Sequence, residues 1–171
     1  MPTNFKAAAF ASDEHNAILR ELEADIAAVR LDGKDVPVKL RIHSSLFIPL
    51  AKWSMLLTGN YRAITADGPR SIKDAVHSDI ELSGRIYEWV NTLARTLGAD
   101  PADQVPFEKY ANAAQSLLNP SSAARAVFAG AKKIERVDKL VQLIGRQNDM
   151  SMPEIDANIE IVDAKLAANS A

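Results

Sequence analysis

Apolar residues recur along this chain with two different periods, and the change from one to the other divides it. Between Val36 and His43 they fall on every second position: Val36, Val38, Leu40 and Ile42 alternate with Pro37, Lys39, Arg41 and His43. That period places the apolar set on one face of a strand and the polar set on the other. Asp32-Gly33, just upstream, is a favoured two-residue turn, because Gly adopts positive φ without a Cβ clash. The pattern predicts a β-hairpin near residues 27–42. Pro37 has no N–H to donate, which marks its later arm as an edge strand. Val36, Val38, Leu40 and Ile42 should then pack against helices, with Lys39 and Arg41 in water. The competing reading runs the preceding helix through Val29 and leaves 32–43 as an extended loop.

Elsewhere the period is that of a helix. Ser12 is a cap, Asp13 and Glu14 stand where the helix dipole favours anions, and Ile18, Leu22 and Ile26 make an apolar stripe. "SSLFIPLAKWSMLLTG" has serines for a cap, Pro49 in its first turn and Gly59 as its stop. "SIKDAVHSDIELSGRIYEWVNTLARTLG" is one long helix or two, with Val76, Ile80, Trp89, Val90, Leu93 and Leu97 inward, Gly98 closing it and Gly84 the weak point. "PFEKYANAAQSLLN" opens on Pro106 and ends at Asn119-Pro120. The run 122–146 carries the strongest helical pattern. "SMPEIDANIEIVDAKLAA" closes the chain, with Ser151 as cap, Pro153 in the first turn, and Ile155, Ile159, Val162 and Leu166 on one face. The expected fold is mainly α: an irregular bundle of five to six helices with one β-hairpin, residues 1–171 forming a single helical domain with a β-hairpin insertion. Trp53 and Trp89 should both be buried in it.

Composition narrows the chemistry more than the fold. With 171 residues, 47% hydrophobic and 25% charged, the chain can bury a real core, and a net charge of −2 sets up no global field for a polyanion. There is no cysteine, which removes disulfides, thiolate nucleophiles and cysteine metal sites. The N-terminal "AAAFA" is too short for a signal-peptide core, and no apolar run approaches the ~20 residues of a membrane span. A soluble protein of the cytoplasm, with no membrane partner, is the expectation.

Catalytic constellations are missing from the sequence. His15, His43 and His77 form no H-E-x-x-H and no i, i+4 histidine pair, and the seven glycines make no phosphate loop or nucleophile elbow. His77, Asp79 and Glu81 are spaced so that a helix spreads them around its circumference. No Glu-x-x-His pair of the kind that binds a diiron centre occurs. No catalytic residue, metal ligand or cofactor is assigned, and the motifs point away from an enzyme.

Two surfaces remain. On a continuous helix 122–146, Arg125, Lys132, Arg136, Lys139 and Arg146 share a narrow sector, a cationic stripe that would attract phosphates. Charged outer faces are commonly just solvated, and Glu135→Lys139 is a favourable i, i+4 pair. The second surface is the hairpin edge with Pro37, Lys39, Arg41 and His43, where positive charge blocks unwanted pairing but an exposed edge also recruits strands. The leading expectation is a non-enzymatic interaction or assembly protein, self-associating or binding another protein through helix faces and the hairpin edge. Next comes a binder of polyanions, RNA or DNA, along the stripe. Third is an enzyme with dispersed Asp and Glu.

Overall fold

A computed structural model describes residues 3–36, 38–43, 47 and 49–170. The fold is mainly helical, as the periodicity predicts, and the chain divides into two compact units, Met1–Leu50 and Ala51–Ala171.

The first unit runs β1 (Thr3–Ala8), α1 (Asp13–Ala28), β2 (Arg30–Leu31), β3 (Lys34–Asp35) and β4 (Val38–His43). Ser12 caps α1 as expected, its side chain accepting from the His15 N–H. β2 and β3 are antiparallel, Arg30 opposite Asp35 and Leu31 opposite Lys34. Asp32 at φ 50° and Gly33 at φ 73° make the tight turn between them, with positive φ at both central residues as a type I′ turn requires. An Arg30–Asp35 ion pair of 2.8 Å closes its base.

The hairpin is present, but its ladder stops at Asp35. The long alternating stretch takes a different partner: β4 pairs in parallel with β1, from Thr3 beside Val38 to Ala8 beside His43. Parallel strands need a crossover, and α1 supplies it. Leu40 is buried and Val38 and Ile42 half-buried, while Lys39 and Arg41 are exposed, so the period of two survives. Pro37 and the Ser44-Ser45 cap lie outside the described residues.

One helical stripe requires correction. α1 packs on β4 through the side that carries Asn16, Leu19, Glu23 and Ile26, whereas Ile18 and Leu22 are exposed. The reason is polar. Asn16 is buried and holds the loop before α1, accepting from the Phe10 N–H at 2.7 Å and donating to the Phe10 carbonyl at 2.9 Å. Those bonds turn residue 16 and its i+3 and i+7 neighbours inward.

The second unit contains α2 (Lys52–Met55), which continues into a π-helical turn at Leu56–Asn60, then α3 (Ile72–His77), α4 (Ile80–Thr96), α5 (Phe107–Ala114), α6 (Ser122–Phe128), α7 (Val137–Gln147) and α8 (Pro153–Ser170). The α3–α4 break falls at Asp79, whose carboxylate caps α4 by accepting from the Leu82 N–H at 2.9 Å. Gly84 stays helical; a Cβ there would come within 3.3 Å of the Phe107 ring. Val76 of α3, Val90 and Leu93 of α4, and Ile155, Ile159 and Val162 of α8 are buried as their spacing predicts, whereas Ile80, expected inward, is exposed at the start of α4 and Ile86 and Tyr87 are buried in its place. Tyr87 stacks on Tyr110 with ring centres 5.5 Å apart. Trp53 is buried, while Trp89 is half-buried against Gly145, where a Cβ would stand 2.7 Å from its ring.

The helix expected over 122–146 is two helices. Gly130 at φ 92° lies just beyond the end of α6, and residues 129–136 are not helical. Buried Tyr61 pins that break: its hydroxyl donates to the Glu135 carbonyl at 2.7 Å and accepts from the Val137 N–H at 2.9 Å. Burial, with Asp138 and Glu135 adding to it, raises the Tyr61 pKa. A helical pattern in sequence cannot compete with a buried hydroxyl that needs those backbone groups.

Candidate interaction surface

The surface that stands out lies in the first unit. Among the described residues of that unit, its two-stranded parallel sheet is accompanied by a single helix, α1, which packs on β4. In parallel pairing Phe5 sits beside Leu40 and shares its face. Leu40 is 9% exposed, yet Phe5 is 55% exposed. Phe10, Ile18, Leu22, Val29 and Leu31 are exposed as well, Ile18 and Leu22 four residues apart on one side of α1. Parallel sheets are ordinarily covered on both faces, and two strands alone are marginal in water.

The two edges of this sheet differ. On β4, Lys39 and Arg41 are exposed, and Arg41 reaches Glu23 of α1 at 3.2 Å. His43 is half-buried, and its Nε2 is buried without a hydrogen-bond partner among the described residues. Immediately after β1, the Ala9 N–H donates to the His43 carbonyl at 3.0 Å. Because backbone groups alternate along a strand, Phe5 and Ala7 also point toward β4, and Lys6 and Ala8 point outward. Among the described residues no strand lies on that outer side of β1.

The five residues of the expected cationic stripe do not share one continuous helix. Arg125 is on α6, donating to the Pro120 carbonyl at 2.7 Å, and Lys132 is exposed in the link between helices. Arg136 stands at the N-terminal cap of α7, in a 2.8 Å ion pair with buried Asp138 and a second with Asp163. Lys139 shares Asp163 at 2.8 Å, and Arg146 meets Asp156 at 3.3 Å. Burial opposes the charges of this cluster. Hydrogen bonds to Asp138 and Asp163 outweigh it at Arg136, whose pKa is raised; those from Lys139 and Arg136 outweigh it at Asp163, whose pKa is lowered.

The interior of the second unit holds one unusual charge. Arg62 is buried, and its guanidinium donates to Ser83 Oγ at 2.6 Å and to the Thr58 carbonyl at 3.3 Å, with no carboxylate ion pair among the described residues. Burial, with Arg70 nearby, brings its pKa down to about 10. It borders a cavity of about 10 Å³ with Asp138, Glu154 and Asn158, room for a single water. An open cleft of about 330 Å³ lies over Leu56, Tyr61, Ala123 and Ile134. Asn60, Ser122 and Glu135 complete its lining. Among the described residues no three His, Asp or Glu are placed to hold a metal ion, and no helix is long and apolar enough to cross a membrane.

No family model, characterised protein or solved structure matches this chain. The surface therefore rests on its own geometry. Sequence reasoning found β4 and missed β1, the strand that makes the edge. Its signal, Phe5 and Ala7 between Asn4, Lys6 and Ala8, is too short to separate from a tail. The exposed side of α1 was legible as apolar residues, but not as residues left outside.

Proposed function

We propose that this chain is a non-enzymatic assembly protein that self-associates through residues 1–50. One observation carries the reading. Among the described residues that segment buries a single large apolar side chain of its core, Leu40, while Phe5, Phe10, Ile18, Leu22, Val29 and Leu31 stay exposed. An apolar surface rimmed by charge, next to an unpaired strand edge, is the signature of an interface. Lys39, Arg41 and His43 frame the opposite edge, and the hairpin places Leu31 beside it in sequence as a further contact.

Light scattering across a range of concentrations tests this. The parent should show a mass that is a multiple of 18.6 kDa. The double substitution Ile18→Asp, Leu22→Asp should shift it toward the single-chain mass without loss of helix by circular dichroism. A parent that remains a monomer at every concentration removes the proposal.

A further inference from the structure

We infer that two copies of this chain join edge to edge through β1, antiparallel about a two-fold axis at Phe5, to give a four-stranded sheet in the order β4–β1–β1–β4. This deepens the assembly reading above and rests on it.

The choice of edge follows from the two sides of the sheet. Arg41 ties β4 to Glu23 of α1, whereas the outer side of β1 presents the backbone groups of Lys6 and Ala8 to no strand among the described residues. A two-fold pairing needs only that the same edge be open in both copies. Charge favours a second copy over a strongly charged partner. Residues 1–50 hold six Lys and Arg against seven Asp and Glu, a net of −1, so two such units scarcely repel.

Register follows from backbone direction. Phe5 points its N–H toward β4, so Phe5 facing Phe5 of the second copy is a non-hydrogen-bonded pair, with Cα atoms about 4.5 Å apart. The outward groups of residues 4 and 6 then exchange the flanking hydrogen bonds. Shifting the axis by one residue to Lys6 would set two cations opposite each other, which is unfavourable. With the axis perpendicular to the sheet, both helices α1 lie on one face. The two Phe5 rings meet on that face, flanked by Leu40 of each copy. The apolar row that ends half-open at Phe5 in a single chain becomes continuous through the dimer.

The experiment uses the full chain. Light scattering should give about 37 kDa for the parent, twice 18.6 kDa. Lys6→Pro removes an outward N–H and leaves the β1–β4 ladder its own donors. It should run at the single-chain mass with an unchanged circular dichroism spectrum. Because the chain has no cysteine, Phe5→Cys reports one position alone. Under mild oxidant it should form a disulfide-linked dimer at least ten times faster than Asp25→Cys on the exposed side of α1. Equal rates for the two cysteine variants, or a Lys6→Pro variant that keeps the parent's mass, overturn the β1 pairing. If the Ile18→Asp, Leu22→Asp variant still dissociates in that case, the assembly reading survives with a different interface. A parent that is monomeric throughout ends both.

Discussion

The two units of this protein solve the problem of apolar surface in opposite ways. Among the described residues, the core contains 24 buried hydrophobic side chains, and all but Leu40 belong to residues 51–171. Among the described residues, six large hydrophobic side chains of the first unit are exposed, against five in the second, which is more than twice as long. Hydrophobic content does not separate them, because Ile18, Leu22 and Phe5 are as apolar as anything in α4. The difference is the number of elements available to cover each face. Among the described residues, 51–171 contribute seven α-helices to lay over one another, whereas 1–50 contribute one helix for a two-stranded parallel sheet. A helix whose apolar residues outnumber its neighbours leaves some of them in water.

Substitutions should divide along the same line. Both tryptophans, Trp53 and Trp89, lie in the second unit, so their fluorescence reports that unit's unfolding. The largest loss should come from Tyr87→Ala, which empties the stack with Tyr110 and removes a hydrogen bond to the Val105 carbonyl. Urea titration followed by fluorescence should show a cost of about 3–5 kcal/mol, the usual range for truncating a buried aromatic. A cost near zero would mean that this unit is not the tightly packed member of the pair. Gly145→Val, which drives a side chain into the Trp89 ring, should cost about 1–3 kcal/mol by the same measurement.

Acid should act on the second unit through the cluster at Asp163. Hydrogen bonds from Lys139 and Arg136 hold its carboxyl below 3.8 in the folded state, against the cost of its burial. The linked stabilisation is therefore complete above that value and is lost as the pH falls through the depressed pKa. Asp163→Asn should flatten the decline in unfolding midpoint that the parent shows on acidification below about pH 4. The effect is modest, since Asp163 is partly exposed and solvent screens the pairs.

The smallest stability effect should come from the first unit. Ile18→Asp and Leu22→Asp, at positions already in water, should each change stability by less than about 0.5 kcal/mol while altering the mass in solution. That combination, association lost and fluorescence midpoint kept, is what the contrast between the units demands. A drop in midpoint comparable with that of Tyr87→Ala would erase it.

Local features were legible in the sequence by themselves because their causes are local. Ser12 caps α1 through the N–H three residues on, and Asp32-Gly33 turns the hairpin through positive φ at two adjacent residues. The alternation from Val36 to Ile42 announces a strand wherever its partner is. The stripe of Ile155, Ile159, Val162 and Leu166 needs only the pitch of a helix. What the tertiary structure alone decided depends on groups distant in sequence. The partner of β4 is β1, more than thirty residues earlier, because parallel pairing requires a crossover and period alone names no partner. The 122–146 helix is broken because the hydroxyl of Tyr61, more than seventy residues away, takes up the backbone groups at its middle. Of the cations expected in one stripe, that break leaves Arg125 on α6 and Lys132 in the link, while Arg136, Lys139 and Arg146 pair with Asp138, Asp163 and Asp156. Which apolar side of α1 is covered was settled by Asn16, a polar residue whose two bonds to Phe10 fix the rotation of the helix. A hydrophobic stripe specifies that some face should be buried, and only packing determines which face finds something to bury it.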